Sequence, residues 1–415
     1  MDDRIIRIRA KLAQAAESPA LLESFGAKTH SYRLKPPLSE AEVAAFEAEH
    51  EVGLPTEYRL FLLEAGDGGA GSSYGLVPLR DALDWDEDPV GFLAAPSYLA
   101  DGVAHGDEEY CEFPEPRQGS LAVVHHGCAY YTHLVVSGPG RGRLVNVNAD
   151  WCDPPYVSED PDFLTWYERW LDELLAGYSV TDFGQKLPGD ETALLAILAG
   201  DPDPDRRVRA AWSLSYLPDF RASAGNGLAA AAADPDPRVR EAALGVGWRS
   251  TVRQVETAAR TALTDSAAPV RAAAIHVLRV LGTADLAERA RALLADADSA
   301  VMWAAAWALT DSGDCQVADL EPLLTRLAAG DRVSAVYYAV KAHGDATGLL
   351  RRALGDLDAD VRRQAVQSAE QRKERSLLRD LRKLQATETD PVVRANLDRV
   401  VGTWRSRWPV LRGRR

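Results

Sequence analysis

Histidines and cysteines between residues 125 and 152 form a cluster with metal-ligand chemistry. Its members are His125, His126, Cys128, His133 and Cys152. Imidazole and thiolate groups are the usual ligands of structural zinc. If residues 128–136 form a strand, Cys128 and His133 lie five residues apart and face opposite sides of it, so one site cannot use both without distortion. We therefore expect no metal, with the thiols in the core and the histidines in loops or on the sheet surface.

Patterns typical of catalysis are absent from the sequence. It holds no nucleophile elbow and no Ser, His, Asp grouping. The glycine-rich stretch 66–71 lacks the lysine of a phosphate-binding loop and follows a predicted helix. We expect a protein that is not an enzyme and has no cofactor.

Two acidic segments that also carry aromatic residues are the predicted partner-binding site. Carboxylates would steer a cationic partner toward this surface, and the rings would add buried area. The alternative is two solvated loops whose aromatic residues belong to the core. The predicted site residues are Asp81, Asp84, Trp85, Asp86, Glu87, Asp88, Asp107, Glu108, Glu109, Tyr110 and Glu112.

The negative charge is concentrated in the first 180 residues. They hold 13 lysines and arginines against 31 aspartates and glutamates, a net charge of −18, which leaves +3 for the rest of the chain. This asymmetry favours a cationic protein partner and disfavours nucleic acid. The alternative is that the surplus carboxylates serve solubility alone.

Length and composition limit the class of protein. A chain of 415 residues exceeds one ordinary core, so we expect two domains. No apolar run approaches twenty residues, and no secretory signal follows Met1, so we expect no membrane span. Four scattered cysteines fit a reducing cytoplasm, where we expect the protein to reside. Nothing indicates an oligomeric state.

The second half of the chain repeats itself with a period of about 31 residues. Valines that mark the phase are Val208, Val239, Val270, Val301, Val333, Val361 and Val393. Arginine follows the valine at Arg209, Arg240, Arg271, Arg362 and Arg394. Aspartates three residues before the valine are predicted helix N-caps, namely Asp205, Asp236, Asp298, Asp358 and Asp390. We expect the aspartates and arginines to pair between adjacent units.

This periodic half resembles the HEAT repeats, and most closely their short bilin-lyase-like form, from Leu194 to Trp404. The resemblance implies a solenoid of two-helix units that offers a binding surface. Trp303 and Trp307 stand in a unit that lacks the usual arginine, where a specialised site is possible although core packing is favoured.

The first half shows helix signals, then strand signals, then a helix. Ser39 and Glu42 form a capping box for a helix over 39–52, and a second helix follows Pro55. Residues 120–124, 128–136 and 143–147 read as strands, with a turn at 138–140. Apolar and aromatic residues at helical spacing between Phe163 and Leu174 predict a closing helix.

That order of signals over residues 33–178 resembles the SMI1/KNR4 family of the SUKH superfamily. The segments that carry the resemblance are 38–61, 74–76, and the hairpin at Gly138 followed by 163–170. It implies an α+β domain without catalytic apparatus, used in bacteria to bind and neutralise toxin domains.

These patterns together predict an α+β N-terminal domain plus an all-α solenoid of two-helix HEAT-like repeats. The predicted domains are residues 1–180, a linker over 181–190, about seven repeats over 191–404, and a basic tail over 405–415. The predicted function is immunity-type binding of a toxin or other cationic protein by the acidic surface, with the solenoid as a second interaction surface. The alternative is a ligand- or nucleic-acid-handling repeat protein, lyase-like or glycosylase-like, that uses the concave face of the solenoid.

Overall fold

A computed structural model describes residues 2–83, 91–100, 117–148, 155–181, 183–326 and 328–406. The chain is mostly helical with a small antiparallel sheet, which agrees at this coarse level with an α+β domain followed by helical repeats. Its contacts divide it into two compact units, Met1–Arg221 and Ala222–Arg415. Within the described ranges, no helix is long and apolar enough to cross a membrane.

The first unit opens with a helix that the sequence patterns above do not include. Asp2 caps this helix by accepting a hydrogen bond from the Arg4 amide, and Ile5, Ile8 and Leu12 are buried at helical spacing. The helices of this first stretch are α1 (Asp3–Ala16), α2 (Pro19–Leu22), α3 (Ala27–His30), α4 (Glu40–Glu49) and α5 (Thr56–Glu64). The capping box of Ser39 and Glu42 is present at α4, so that prediction is confirmed.

A four-stranded antiparallel sheet follows in sequential strand order. Its strands are β1 (Ser120–Gly127), β2 (Tyr130–Val135), β3 (Leu144–Asn148) and β4 (Tyr156–Val157). One face carries Leu121, Leu134 and Leu144 into the main core, and the other face carries Val135 and Val145 against Leu99. Both faces are therefore covered by apolar side chains.

The predicted closing helix is α6 (Phe163–Leu175), and its aromatic face lies in the main core. Helix α1 packs against it, and Arg7 donates two hydrogen bonds to Glu168, at 2.6 and 2.8 Å. The hydrogen bond from Arg7 lowers the pKa of Glu168 to about 2. The aromatic side chains of α6 thus serve the core, as their spacing indicates.

Helical hairpins make up the remainder of the described chain. The first hairpin, α7 (Glu191–Gly200) with α8 (Pro204–Leu214), belongs to the first unit. The second unit holds α9 (Ala222–Ala231), α10 (Pro237–Arg249), α11 (Glu256–Ala262), α12 (Ala268–Leu281), α13 (Leu286–Leu293), α14 (Ser299–Ser312), α15 (Val317–Leu320), α16 (Leu323–Arg326), α17 (Ala329–Tyr338), α18 (Thr347–Ala353), α19 (Ala359–Arg372), α20 (Leu378–Thr387) and α21 (Pro391–Ser406). Helices α10, α12, α14, α17, α19 and α21 pack in succession and form one layer of the second unit. Between residues 194 and 401, the described part of the chain has a single β-bridge, from Gln316 to His343, and no strand.

Five of the seven phase valines occupy equivalent buried positions, and two do not. Val239, Val270, Val301, Val361 and Val393 are fully buried. Val208 and Val333 are half-buried. In α17 the arginine that pairs with the next unit, Arg332, precedes the valine instead of following it, so Val333 lies two residues past the buried position. The prediction that Val208 and Val333 occupy the same repeat position as the other five valines was therefore wrong.

Aspartate caps appear at four of the five predicted positions. The carboxylates of Asp236, Asp298, Asp358 and Asp390 accept amide hydrogen bonds at their helix starts. The prediction for Asp205 was wrong, because Asp203 caps α8 and accepts from the Asp205 amide. Pro204 occupies the first turn, where proline needs no hydrogen-bond partner, and this moves the helix start two residues earlier.

Candidate functional site

The predicted acidic site lies almost entirely outside the described residues. Asp81 is exposed at the end of a short 3-10 turn, Leu79–Asp81. The other predicted members, Asp84, Trp85, Asp86, Glu87, Asp88, Asp107, Glu108, Glu109, Tyr110 and Glu112, fall in the ranges 84–90 and 101–116 that the structure does not describe. The site therefore remains a prediction from sequence.

Two histidines of the sheet are held as neutral, hydrogen-bonded side chains. The Nδ1 of His133 lies 3.0 Å from the Ser120 hydroxyl, and His126 lies 2.7 Å from the Thr132 hydroxyl and 3.2 Å from that of Ser73. Burial lowers the pKa of His133 to about 3 and that of His126 to about 4. The expectation that these histidines lie on the surface was wrong for His133, which is buried.

Cys128 lies in the turn before β2 and not in the strand. Its φ is 48°, and its side chain is exposed, so the expectation of a core thiol was wrong at this position. Cys152 lies outside the described residues. Within the ranges that are described, no three His, Cys, Asp or Glu side chains come together as metal ligands.

A row of aromatic side chains crosses the first unit beside the β1–β2 turn. We call Phe25, Tyr74, His125 and Tyr131 the Tyr74 cluster. Ring centroids are 5.3 Å apart from Phe25 to Tyr74, 5.6 Å from Tyr74 to His125, and 4.8 Å from His125 to Tyr131. Phe25 is 56% exposed and Tyr74 is 43% exposed. Phe25 and Tyr74 thus expose aromatic side chains to solvent.

Local backbone geometry places the Tyr74 ring against the turn. Gly127 has a φ of 111°, and a Cβ atom there would come within 3.0 Å of the ring. A cavity of about 310 Å³ lies beside the cluster and is lined by Phe25, Ser73 and Tyr178, among others. The exposed rings thus adjoin a concave surface with hydroxyl groups.

A buried ionic network joins α6 to the chain that leads into the first hairpin. Arg169 donates to both oxygens of Asp160, at 2.7 and 2.9 Å, and to Glu173 at 2.8 Å. The Lys186 ammonium lies 3.1 Å from the same Glu173 carboxylate. Each buried charge therefore has an opposite charge beside it, which burial requires.

The first hairpin also contacts the sheet domain directly. The Arg209 guanidinium lies 3.4 Å from the centroid of the Tyr156 ring, and it donates to the Gln185 carbonyl at 3.1 Å. The Ser213 hydroxyl accepts from the Leu187 amide at 3.0 Å. Arg209 was expected to pair along the repeats, and its stacking on Tyr156 instead ties the hairpin to the rest of the first unit.

Arginines form a ladder of ion pairs along the layer of the second unit. Arg240 donates to both oxygens of Asp265, at 2.8 and 2.7 Å, and Arg271 makes the same pair with Asp296 at the same distances. Arg362 pairs with Glu388 at 2.7 Å. These arginines do pair between adjacent units, but the expected partners were wrong. The acids are Asp265, Asp296 and Glu388, each two residues before the residue that flanks the next helix, and not the predicted capping aspartates.

The ladder is interrupted at α14 and resumes at α17. Met302 holds the position that arginine holds in the neighbouring units. Arg332 then pairs with Asp356 at 2.8 Å. The hydrogen bond from the paired arginine lowers the pKa of Asp265 and of Asp296, and Arg362 lowers that of Glu388 to about 2. The arginines are thus engaged by protein carboxylates.

Aromatic side chains run along four helices of the same layer. We call Trp248, His276, Trp303, Trp307, Tyr337 and Tyr338 the aromatic strip. Ring centroids lie 5.5 Å apart from Trp248 to His276 and 4.9 Å from His276 to Trp307. Trp303 and Tyr338 are 5.5 Å apart.

Two members of the strip are clearly open to solvent, Trp307 at 39% and Tyr337 at 47% exposure. Core packing was therefore the wrong expectation for Trp307. Helical spacing alone did not reveal this, because the buried face of α14 is alanine-rich and leaves the tryptophans on the other side.

The sequence model of the family described as HEAT repeats matches residues 191–279 and 255–341. The chain therefore contains HEAT-like repeats. The resemblance of residues 33–178 to the SMI1/KNR4 family stays a prediction. A comparison with curated proteins finds no match.

Solved structures that resemble the chain share little sequence with it. The YibA protein of Escherichia coli is 16% identical over 54% of this chain and 86% of its own, with a TM-score of 0.42. The complex of CpcE and CpcF of phycocyanin lyase from Nostoc is 19% identical over 52% and 97%, with a TM-score of 0.33. An engineered protein is 17% identical over 53% and 98%, with a TM-score of 0.28.

Proposed function

We propose that this protein is a non-catalytic binding molecule that captures a cationic protein through its N-terminal domain. The observation that carries the proposal is the Tyr74 cluster, an exposed aromatic surface on a domain whose first 180 residues carry a net charge of −18. Rings of this kind supply the central anchors of protein interfaces, and surrounding charge sets the rate of encounter.

The proposed mechanism separates steering from anchoring. Exposed carboxylates, including the predicted site at residues 81–88 and 107–112, would attract a basic partner at long range. Phe25 and Tyr74 would then lose their solvent-exposed area against it. Loss of charge would slow association, whereas loss of the rings would speed dissociation.

The SMI1/KNR4 resemblance supports a toxin domain as the partner and an immunity-type role. HEAT-like repeats are typical of protein-interaction scaffolds, and this supports the array as a second interaction surface. The second candidate function is ligand handling by the array, and the aromatic strip is the observation in its favour.

Partner capture on the immobilised full chain, followed by binding kinetics with the purified partner, tests the proposal. Reversing Asp86, Glu87 and Asp88 to Lys should slow association by about one to two orders of magnitude at low salt. The control reverses three exposed carboxylates elsewhere in the same domain, Glu17, Glu49 and Glu51. Both variants gain the same charge, so a larger effect at residues 86–88 locates the steering surface. Equal effects of the two variants would show that the total charge of the domain, and not its position at residues 86–88, sets the association rate.

The aromatic half of the mechanism has its own variants. Phe25→Ala and Tyr74→Ala should raise the dissociation rate at least tenfold, since truncation of an interface anchor costs about 2 kcal/mol or more. Tyr98→Ala is the matched control, because Tyr98 is equally exposed and lies outside the cluster. A partner that leaves Phe25→Ala and Tyr74→Ala as slowly as the unaltered chain would contradict the assignment of the anchors.

A further inference from the structure

The cavity of about 310 Å³ beside the Tyr74 cluster is lined by two serine hydroxyls, Ser24 and Ser73, and we call it the Ser73 cavity. A serine hydroxyl has one hydrogen to donate and two lone pairs. The Tyr32 hydroxyl donates to the Leu21 carbonyl at 2.9 Å, so in its hydrogen bond with Ser24 the serine must be the donor. Ser24 can therefore only accept a hydrogen bond from a group in the cavity.

Ser73 is committed as a donor by a chain of hydrogen bonds through the sheet. The Asn146 amide donates to the Gly184 carbonyl, which turns its Oδ1 toward Thr132, and the Thr132 hydroxyl donates to that oxygen at 2.7 Å. Thr132 must then accept from the Nε2–H of His126, at 2.7 Å. Burial lowers the pKa of His126 to about 4, so its Nδ1 carries no proton at neutral pH and accepts from Ser73 at 3.2 Å. Ser73, which is 6% exposed, thus offers only lone pairs to the cavity.

The C-terminal end of α6 adds negative partial charge to the same lining. Leu174 and Gly177 of this end line the cavity, and the carbonyl end of a helix favours a cation. The last turn of α6, which lies wholly within the described residues, has no basic side chain. Lys186 reaches this end from farther along the chain, and its charge is balanced by Glu173 at 3.1 Å. The lining therefore suits a ligand that donates hydrogen bonds and carries positive charge.

A second cavity of the first unit, about 190 Å³ in volume, shares Tyr178 with the Ser73 cavity. Its lining holds three carboxylates, Asp190, Glu191 and Asp219, against one guanidinium, Arg221. Burial raises the pKa of Tyr178, and nearby carboxylates, Asp190 among them, raise it further. The electrostatic potential beside the Ser73 cavity thus also favours a cationic ligand.

Aromatic rings in the lining favour arginine over lysine as that cation. Phe25 and Tyr178 both line the Ser73 cavity, and Phe25 is 56% exposed. A planar guanidinium stacks on such rings, and its five N–H donors can serve several acceptors at once. An ammonium group is more strongly hydrated and would lose more on entering the cavity.

We infer that the Ser73 cavity receives an arginine side chain of the cationic partner. This inference rests on the proposed function and names the anchor that the partner supplies. The guanidinium donates to the hydroxyls of Ser24 and Ser73 and stacks on the rings of Phe25 and Tyr178. The carboxylates of the second cavity attract it and favour its orientation.

Calorimetric titration of the full chain with the peptide acetyl-Gly-Gly-Arg-Gly-Gly-amide tests the inference. Three comparison peptides carry lysine, citrulline or glutamate at the central position. Citrulline keeps the shape of arginine and loses its charge. We expect the arginine peptide to bind, and the lysine peptide to bind at least about threefold more weakly. The citrulline and glutamate peptides should bind at least about tenfold more weakly, because hydrogen bonds from a charged group are the stronger ones.

Substitution of the two hydroxyls locates the binding site. Ser73→Ala and Ser24→Ala each remove one acceptor and should weaken binding of the arginine peptide about tenfold. Ser120→Ala is the matched control, because Ser120 also bonds a buried histidine, His133, at 3.0 Å, and is not among the described residues that line the cavity. This control should leave the affinity within about twofold.

Circular dichroism confirms that each variant is folded, and Ser24→Ala carries the test if Ser73→Ala is not. Failure of the arginine peptide to bind the folded chain overturns the inference, as does binding that neither substitution weakens. Equal or tighter binding of the lysine or citrulline peptide also overturns it, and tighter binding of the glutamate peptide would identify an acidic segment as the occupant instead.

Failure of this inference and failure of the proposed function give different results. The peptide titration requires no captured partner, whereas the kinetic test with Phe25→Ala and Tyr74→Ala does. If the partner leaves those two variants faster while the arginine peptide fails to bind, the proposed function stands and only the arginine anchor is overturned.

Discussion

His133 lies at the boundary between the sheet and its second apolar layer. Its side chain is buried beside Ser120, on the face that carries Val135 and Val145. Strand alternation places position 133 on that face, and Leu99, which comes from a distant part of the chain, packs against the valines of the same face. Sequence alone predicted the strand and missed the cover, so it placed the histidine at the surface.

Acid should destabilise the first unit through this histidine. Burial lowers the pKa of His133 from 6.5 to about 3 in the folded chain. Neutral His133 therefore contributes its full stabilisation of the folded state above pH 6.5. This contribution is lost as the pH falls toward 3, because the unfolded chain binds the proton more tightly. We expect a loss of roughly 3 kcal/mol between pH 7 and pH 4 from this group.

Hydrogen exchange of peptides that cover β1 and β2 measures this effect at the two pH values. His133→Gln cannot titrate, so the variant should lose less stability than the unaltered chain over the same interval. His126 is present in both proteins, and its contribution cancels in the comparison. A pH dependence identical in the two proteins would show that His133 does not govern it.

At the scale of elements, the start of α8 shows how a proline can shift a repeat. The motif Asp-Pro-Asp-Pro-Asp at 201–205 offers three acidic residues as caps, and the structure selects Asp203. The position of Asp205 within the repeat period predicted that Asp205 is the cap. The local rule that places proline in the first helical turn decided the outcome instead.

Asp203→Ala should destabilise the first hairpin by about 1 kcal/mol, because it removes the side-chain acceptor for the Asp205 amide. Asp205→Ala should cost less, since its side chain does not cap the helix. Amide exchange along α8 compares the two variants. A larger effect from Asp205→Ala would restore the phase predicted from the valines.

The sequence predicted most helices and strands that carry a strong local signal. Helices α4, α5 and α6 and strands β1 to β3 all follow a cap or an apolar period. Helix α1 has such a signal in its cap, Asp2, and in the helical spacing of Ile5, Ile8 and Leu12, but it was missing from the predicted elements. The two aromatic surfaces were not predictable in this way, because both are assembled from residues on separate elements.

At the scale of the whole chain, the described residues of the second unit include one pair of neighbouring layer helices, α14 and α17, that no ladder arginine joins. Met302 in α14 is uncharged and cannot form an ion pair with the loop before α17. Hydrogen bonds that involve a charged group contribute about 1.5–3 kcal/mol each, so this joint should be weaker than its neighbours. In an array held together by nearest-neighbour contacts, opening should begin there.

Native-state hydrogen exchange should therefore show faster opening of α14 to α17 than of α10 to α12. Arg271→Met reproduces the interruption one unit earlier and should raise exchange across α12 and α14. Arg363→Met is the matched control, because Arg363 pairs within its own helix, with Asp360 at 2.9 Å. Uniform exchange through the second unit of the unaltered chain would argue against a weak joint.

The attachment of the first hairpin has a consequence for how such chains are inherited. A recombination breakpoint at residue 190 would bring in a foreign hairpin and discard the stacking of Arg209 on Tyr156 and the Ser213 contact. A breakpoint near residue 221 would transfer the domain with its hairpin intact. Shuffled descendants should therefore carry the hairpin with the N-terminal domain, so that the unit of exchange differs from the unit of repetition.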